Sequence, residues 1–181
     1  MATSDTIHID MTPRTLNEKY QMLIVALDGT ERDLARLTKR VDEAAALVRP
    51  APDAWCVKDV IAHLADIEDK FRVRFVRMIE QDNPHEPFIH PDPTSHDMSK
   101  TVPELIEAFA AKRAVTTDYL QGLDHQQWLR PCTHETFGET RLRKQVEVLI
   151  GHDNEHLAQI VNIREFIEHQ PSPNPLPRGE G

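Results

Sequence analysis

The chain has 181 residues, a formal net charge of −9 at pH 7, 39% hydrophobic residues and 28% charged residues. This length and composition are ordinary for one soluble globular domain with a buried core. Because an acidic chain repels phosphate backbones, we expect no nucleic-acid partner. The longest apolar run, 22–27, is far shorter than the roughly 20 residues of a membrane span, and the first residues lack the pattern of a secretory signal. With only Cys56 and Cys132 as cysteines, we expect a cytoplasmic protein without disulfides or a membrane partner.

Two helices are predicted in the first half of the chain. A helix over about 13–41 is indicated by apolar residues at steps of three, four or seven: Leu16, Tyr20, Leu23, Leu27, Leu34, Leu37 and Val41. After a proline-containing linker, a second stripe predicts a helix that ends near Asn83, since a residue before proline disfavours helical geometry. That stripe consists of Val60, Ile67, Phe71, Phe75 and Met78.

The second half of the chain predicts two more helices. Prolines crowd 83–101, so this segment is predicted to be a loop. Pro103 suits the first turn of a third helix, which extends to about Leu123. Residues 124–140 are predicted to be an irregular connection, and a last helix is predicted from about Leu142 to Ile167.

Four long amphipathic segments joined by non-helical linkers predict an all-α fold, a four-helix bundle. We expect an N-terminal extension over 1–12 and the bundle over 13–169. Residues 170–181 are rich in proline and glycine, and we expect them to form a disordered tail.

Three of the ten histidines occupy positions where a helix should be apolar. His152 and His156 fall in the stripe of the last helix, between Leu149 and Ile160. His63 occupies a core step of the second helix. A single histidine in such a position is usually a core residue with a hydrogen-bonding neighbour, so His63 alone would indicate little.

The pair on the last helix changes this interpretation. Residues four apart lie above one another on one helix face, so His152 and His156 can both direct a nitrogen at one ion about 2.0–2.1 Å away. Two buried imidazoles without partners would be costly, and a metal removes that cost by binding both lone pairs. With His63 as the third ligand, the sequence predicts one three-histidine metal site. A purely structural bundle with three buried histidines and no metal is the competing interpretation.

The remaining histidines are predicted to be solvated or to cap helix ends: His8, His85, His90, His96, His125, His134 and His169. Asp153 and Glu155 flank the two ligands but point off the stripe, so we expect them to be solvated or packed against the next helix. Trp55 and Trp128 are predicted to anchor the core or a loop rather than to bind substrate.

Two stretches around the three histidines resemble motifs of the DinB-like (YfiT-like) metalloenzyme superfamily. The stretch WCVKDVIAHLAD, 55–66, resembles the segment in which a tryptophan leads into the helix that carries the first metal-binding histidine. The stretch GHDNEHLAQI, 151–160, resembles the last-helix motif, an HxxxH pair followed by a glutamine. The separation of the motifs, about 90 residues, also fits, and the resemblance covers roughly 13–169.

The resemblance implies a four-helix bundle with one divalent ion, Zn or Ni for example, at its open end. The superfamily includes S-transferases that use low-molecular-weight thiols, and a maleylpyruvate isomerase. This chain departs from the usual pattern at Cys56, where a serine or threonine normally opens a capping box that Asp59 would complete here. Cysteine is a poorer cap, so we expect a less well defined helix start.

Three neutral histidines leave a fourth metal position open, which is typical of catalytic sites. Water in that position would give a hydrolase and a thiol would give an S-transferase, and the ligands alone do not separate them. We therefore expect a metal-dependent enzyme that acts on a small molecule, with a low-molecular-weight thiol as an optional co-substrate. The alternative is a non-catalytic metal-binding stress or interaction protein with the same bundle. A homodimer fits either function.

Other polar residues are candidates for supporting roles. Asp66 is predicted to be a base or a hydrogen-bond acceptor beside the metal, or else a plain surface carboxylate. Asp59 and Gln159 lie one helical turn from His63 and His156, so we expect them to orient these imidazoles. The loop 83–100 is predicted to be solvated, although it could cover the metal end or bind a second ion.

Overall fold

The computed structural model describes residues 16–92 and 96–169, and its architecture is a four-helix bundle, as predicted. The long helices are α1 (Leu16–Thr38), α2 (Val57–Glu80), α3 (Val102–Gln121) and α5 (Leu142–Glu168), and a short helix α4 spans His125–Trp128. A 3₁₀ turn, Ala45–Leu47, lies between α1 and α2. The predicted extension over 1–12, the predicted tail over 170–181 and the predicted start of the bundle at 13 lie outside the described residues.

Each long helix packs mainly against two others. The α2 helix contacts α3 and α5, and the α1 helix contacts the same two, so α1 and α2 lie diagonally across the bundle. The core forms two clusters, one around Phe75, Met78 and Leu149 and the other around Leu34 and Phe109. Because α2 and α5 are neighbours, the stripes that contain the three histidines face each other. None of the helices in the described ranges is long and apolar enough to cross a membrane.

The segments predicted as a loop (83–101) and an irregular connection (124–140) contain a small sheet, so that prediction was incomplete. Its strands are β1 (His85–Glu86), β2 (Pro131–His134) and β3 (Gly138–Arg141), with β1 parallel and β3 antiparallel to β2. Gly138 begins β3 with a φ of +67°, a conformation that favours glycine. Strands this short carry no usable apolar alternation, which is why the sequence did not indicate them.

The start of α2 is well defined, contrary to the expectation from Cys56. The Asp59 carboxylate accepts a hydrogen bond from the backbone N–H of Cys56 at 2.9 Å. This bond satisfies one of the N–H groups that a helix start leaves free. The acidic half of the capping box therefore holds the helix start even though the cap residue is cysteine.

A candidate metal centre beside an apolar cavity

The three predicted ligands converge, each through its Nε2 atom. His63 lies in the second turn of α2, and His152 and His156 lie one turn apart on α5. His152 Nε2 is 3.0 Å from His63 Nε2 and 3.1 Å from His156 Nε2. All three ligand atoms lie within 4.8 Å of one another, a separation that one ion can bridge with bonds of about 2.0–2.1 Å.

The short contacts are better explained by a shared cation than by hydrogen bonds. An imidazole nitrogen has either one proton or one lone pair in the ring plane, so His152 Nε2 can form one good hydrogen bond but not two. It nevertheless has two nitrogen neighbours at hydrogen-bond distance. A cation at the centre would accept all three lone pairs and remove the conflict, so the residues present fit a divalent metal.

Burial keeps these imidazoles neutral, as metal ligands must be. Burial, with smaller contributions from His156 and His152, lowers the pKa of His63 to about 3. Burial, together with His156 and Arg113, lowers the pKa of His152 to about 4. The pKa of His156 is also lowered by burial, although its bond to Gln159 acts in the opposite direction. At neutral pH the lone pairs are therefore available to an ion.

The three predicted supporting residues have different surroundings. Gln159 Oε1 lies 2.8 Å from His156 Nδ1, so Gln159 contacts a candidate ligand directly. Asp59 forms no hydrogen bond with His63, whose Nδ1 has no partner among the described residues. Asp59 pairs with Arg49 at 2.7 Å and lies 3.4 Å from His96 Nδ1. Asp66 pairs with Lys70 at 2.6 Å. In the described part of the chain, Asp66 is not among the residues that line the cavity beside the histidines.

His96 was predicted to be solvated or to cap a helix end, and that prediction was wrong. Its side chain is only 2% exposed, and its Nε2 has no hydrogen-bond partner among the described residues. The ring lies 5.8 Å from the Trp55 ring and 6.5 Å from the His63 ring. No periodicity applies to a residue in a loop between helices, so the sequence carried no signal for this burial.

An apolar cavity of about 270 Å³ opens beside the three histidines. Its apolar lining consists of Trp55, Ile67, Phe71, Phe88, Ile89, Pro91, Phe137 and Val148. Apart from the three candidate ligands, the polar residues of the lining are Arg74 and His134. His134 is 4% exposed and lies in strand β2, so the prediction that it is solvated or caps a helix end was also wrong.

A second, more open groove of about 710 Å³ meets the same site from another side. Trp55 and His156 line both the cavity and the groove, and their rings stack with centroids 5.8 Å apart. Gln159 and Asn162 contribute amides to the groove, and Asp53 contributes a carboxylate. Trp55, which was predicted to anchor the core or a loop rather than to bind substrate, therefore lines the candidate site.

A buried ion cluster lies directly behind the ligands. Arg113 Nη2 is 2.7 Å from Glu68 Oε2 and 2.8 Å from Asp153 Oδ2. Thr30 donates a further hydrogen bond to Asp153 at 2.8 Å. Asp153 is 2% exposed, so of the two predicted environments it has the one packed against neighbouring helices. The cluster ties α1, α2 and α3 to the turn of α5 that carries His152.

A four-helix bundle with three histidines converging at the end of a cavity defines a class of helical proteins suited to one divalent metal. Residues 26–160 match the model of the DinB superfamily, and the chain belongs to that superfamily. No curated protein matches the sequence.

Two solved structures share the fold. One is YfiT from Bacillus subtilis, described as a probable metal-dependent hydrolase with an unusual four-helix bundle topology. It is 17% identical, with a TM-score of 0.71 over 94% of this chain and 95% of that one. The other is a conserved protein from Enterococcus faecalis, 18% identical, with a TM-score of 0.61 over 83% of this chain and 97% of that one. At these identities the likeness establishes the fold alone.

Proposed function

We propose that this protein is a metal-dependent enzyme that holds one divalent ion, Zn or Ni, on His63, His152 and His156 and acts on a small molecule with an apolar body. The proposal rests mainly on one observation. Three neutral Nε2 atoms from two helices meet where an apolar cavity and a more open groove share a wall. When bound, a divalent ion on three histidines lowers the pKa of a water or a thiol in its open position, so that a nucleophile exists at neutral pH.

Other residues of the chain would exclude water from the site and hold the ligands in position. Phe71 and Ile67 line the cavity and exclude water from the bound substrate. Excluding water strengthens every electrostatic interaction in the site. Trp55 packs against His63 with ring centroids 4.7 Å apart, and this contact holds the imidazole in place. Gln159 fixes the orientation of His156 from the groove side.

Thiol transfer is the reaction that we favour. Two openings onto one site suit two substrates, an electrophile in the cavity and a low-molecular-weight thiol in the groove. Within the described ranges, no carboxylate lines the cavity. A free thiol has a pKa of about 8.5 and water a far higher one, so a thiol needs less help from a general base to lose its proton. Asp66, which pairs with Lys70, would then act on the site only indirectly.

Hydrolysis is the second candidate, because the structurally similar YfiT is described as a probable metal-dependent hydrolase. In that case the open groove would admit water. The alternative of a non-catalytic metal-binding protein is less well supported. Metal storage does not require a substrate-sized cavity next to the ion, and such a cavity is present here.

The test compares metal-loaded and metal-stripped protein purified without an affinity tag. Each form is given an apolar electrophile, 1-chloro-2,4-dinitrobenzene, with a set of low-molecular-weight thiols, and separately an aryl ester in the absence of thiol. We expect thiol-dependent turnover that the stripped protein lacks and that added Zn or Ni restores. Ester hydrolysis without thiol turnover would favour the second candidate. Equal rates in the loaded and stripped proteins would overturn the proposal.

A further inference from the structure

The cavity has two chemically different ends. Along α2, His63 and Arg74 are eleven residues apart, and along α5 His156 and Gln145 are also eleven apart. Eleven helical residues span about 16 Å. Arg74 Nη1 donates a hydrogen bond to Gln145 Oε1 at 2.9 Å, so these two residues mark the same end. The candidate metal ligands are at one end of the cavity, and a guanidinium is at the other.

The walls between the two ends are apolar. Ile67 and Phe71 line the cavity from α2, and Val148 lines it from α5. Phe88 and Phe137 also line it although they are 51% and 57% exposed, which places these two aromatic rings at the mouth. A ligand with an apolar body would therefore bury that body between the two polar ends.

His134 supplies a hydrogen-bond donor near the guanidinium end. Its Nδ1 accepts the backbone N–H of Thr136 at 3.1 Å, so Nδ1 has the lone pair and the proton of the neutral ring is on Nε2. In the described part of the chain, no residue accepts from this Nε2–H, and the ring lines the cavity. Burial and Arg74 both lower the pKa of His134, which keeps the ring neutral.

The fixed charge at this end is positive. Arg74, which is buried, lies 3.4 Å from the Glu86 carboxylate, and Arg77 lies 3.3 Å from the same group. Arg77 is 36% exposed, so its charge is partly screened, but burial also raises the pKa of Glu86 and so weakens the negative charge beside Arg74. The cluster therefore has a net positive charge. Glu135 is near His134, but it is exposed to solvent and accepts the backbone N–H of Phe88, so its charge is screened.

We propose that the end of the cavity formed by His134 and Arg74 binds the carboxylate of a substrate whose remaining body is apolar, a small aryl or alkyl carboxylic acid. His134 Nε2–H donates to the carboxylate, and the excess positive charge of the Arg74 cluster compensates its negative charge. The apolar body spans the walls, and the reactive group lies at the three-histidine end. This inference names the substrate class for the proposed function and rests on it.

The experiment measures binding in the metal-free full chain, where a carboxylate has no metal to ligate. Isothermal titration compares phenylacetate, phenylacetamide and phenethylammonium, which share one apolar body and differ in the polar group. Charged hydrogen bonds contribute about 1.5–3 kcal/mol, so we expect phenylacetate to bind at least about tenfold more tightly than phenethylammonium. Equal or tighter binding of the ammonium compound would overturn the inference.

The variant that tests the donor is His134→Phe, with His85→Phe as the matched control. His85 is exposed on the adjacent strand and does not line the cavity. We expect His134→Phe to weaken phenylacetate binding about tenfold and His85→Phe to leave it unchanged. If His134→Phe does not fold, the imidazole ¹⁵N resonances of the wild-type protein replace it, and phenylacetate should shift those of His134 and not those of His85.

The two proposals fail in different ways. If phenylacetate binds only to metal-loaded protein, and His134→Phe leaves its affinity unchanged, then the carboxylate ligates the ion. That result would overturn the inference. If metal-free protein prefers phenylacetate to phenethylammonium but metal-loaded protein shows no turnover, the carboxylate site is supported. Only the proposed function would then be contradicted.

Discussion

Gln159 Oε1 lies 2.8 Å from His156 Nδ1, one turn further along α5. An amide oxygen can accept a hydrogen bond but cannot donate one, so the Nδ1–H of His156 points at Gln159 and the Nε2 lone pair points at His152, 3.1 Å away. One helical side chain thus sets the tautomer and the rotation of a neighbouring ring. In the described part of the chain, the Nδ1 atoms of His63 and His152 have no such partner.

Replacing Gln159 by leucine should weaken metal binding without unfolding the helix. Hydrogen-bond partners of metal-binding histidines typically contribute 10–100-fold to affinity, so we expect a loss of about that size. Competition against a chromophoric chelator measures it. Asn154→Leu, an exposed amide on the same helix, is the control and should change nothing. Equal affinities for Gln159→Leu and wild type would mean that the amide does not orient His156.

His152→Ala should remove nearly all stoichiometric metal, because His152 Nε2 is the atom that both other ligand nitrogens approach. Far-UV circular dichroism should show little change in helix content, since alanine is the best helix former. Elemental analysis of untagged protein gives the metal content. His169→Ala, at the exposed end of α5, is the control. One retained ion per chain in His152→Ala would contradict the proposed ligand set.

The sequence predicted the candidate ligands because helical spacing is a strong geometric constraint. Positions 152 and 156 must share a face of α5 wherever that helix packs, and the neighbouring apolar residues indicate that this face points inward. Both histidines are partly buried in the structure. His63 followed from the same argument on α2. The bundle was predictable for the same reason, since its stability depends mainly on those stripes.

Residues outside the long helices could not be placed in this way. His96 and His134 come from a loop and a four-residue strand, where nothing in the local sequence indicates what packs above them. Asp153 was predicted to point off the apolar stripe of α5, and that part of the prediction was wrong. It lies four residues after Leu149 and seven before Ile160 on the buried face, where Arg113 and Thr30 approach it from two other helices. Such long-range pairings depend on the assembled bundle, which a single sequence does not display.

Metal affinity should vary little between about pH 7 and pH 5.5. An ordinary histidine has a pKa near 6.5, so each such ligand would lose about tenfold in affinity one unit below that value. Here the pKa of His63 is lowered to about 3 and that of His152 to about 4, so protons do not compete at these two ligands in that range. The pKa of His156 is lowered in the same direction. Chelator competition across the pH range measures the slope, and a steep fall beginning at pH 6.5 would contradict the prediction.

The two cysteine thiols should be inert in the folded protein. Both are fully buried, burial raises the pKa of Cys132 to about 11, and it also raises the pKa of Cys56. The thiolate is the reactive form, so we expect no labelling by Ellman's reagent at pH 8 and complete labelling of both thiols in urea. Any thiol in the proposed reaction must then come from solution. Rapid labelling of Cys56 in folded protein would contradict the prediction that the thiols are inert. It would also mean that the protein itself could supply a thiol nucleophile.

Arg113→Met should be among the most destabilising single changes in the bundle. It removes the counter-ion of Glu68 and Asp153, and it also removes the hydrogen bond that Arg113 Nη1 donates to the Leu27 carbonyl at 2.8 Å. Breaking a buried ion pair by deleting one partner costs about 3–5 kcal/mol, because the remaining charge stays buried without compensation. Urea unfolding of metal-free protein measures the loss, since bound metal would add its own stabilisation.

Two comparison variants show whether the buried charge is the cause. Arg36→Met breaks an exposed pair with Asp33 and should cost less than about 1 kcal/mol. Neutralising both carboxylates in the Arg113→Met background, with Glu68→Gln and Asp153→Asn, should recover much of the lost stability because no uncompensated charge remains. If the triple variant is no more stable than Arg113→Met alone, the cost arises from the lost hydrogen bond to Leu27 and the lost packing against Phe109 rather than from the buried carboxylates.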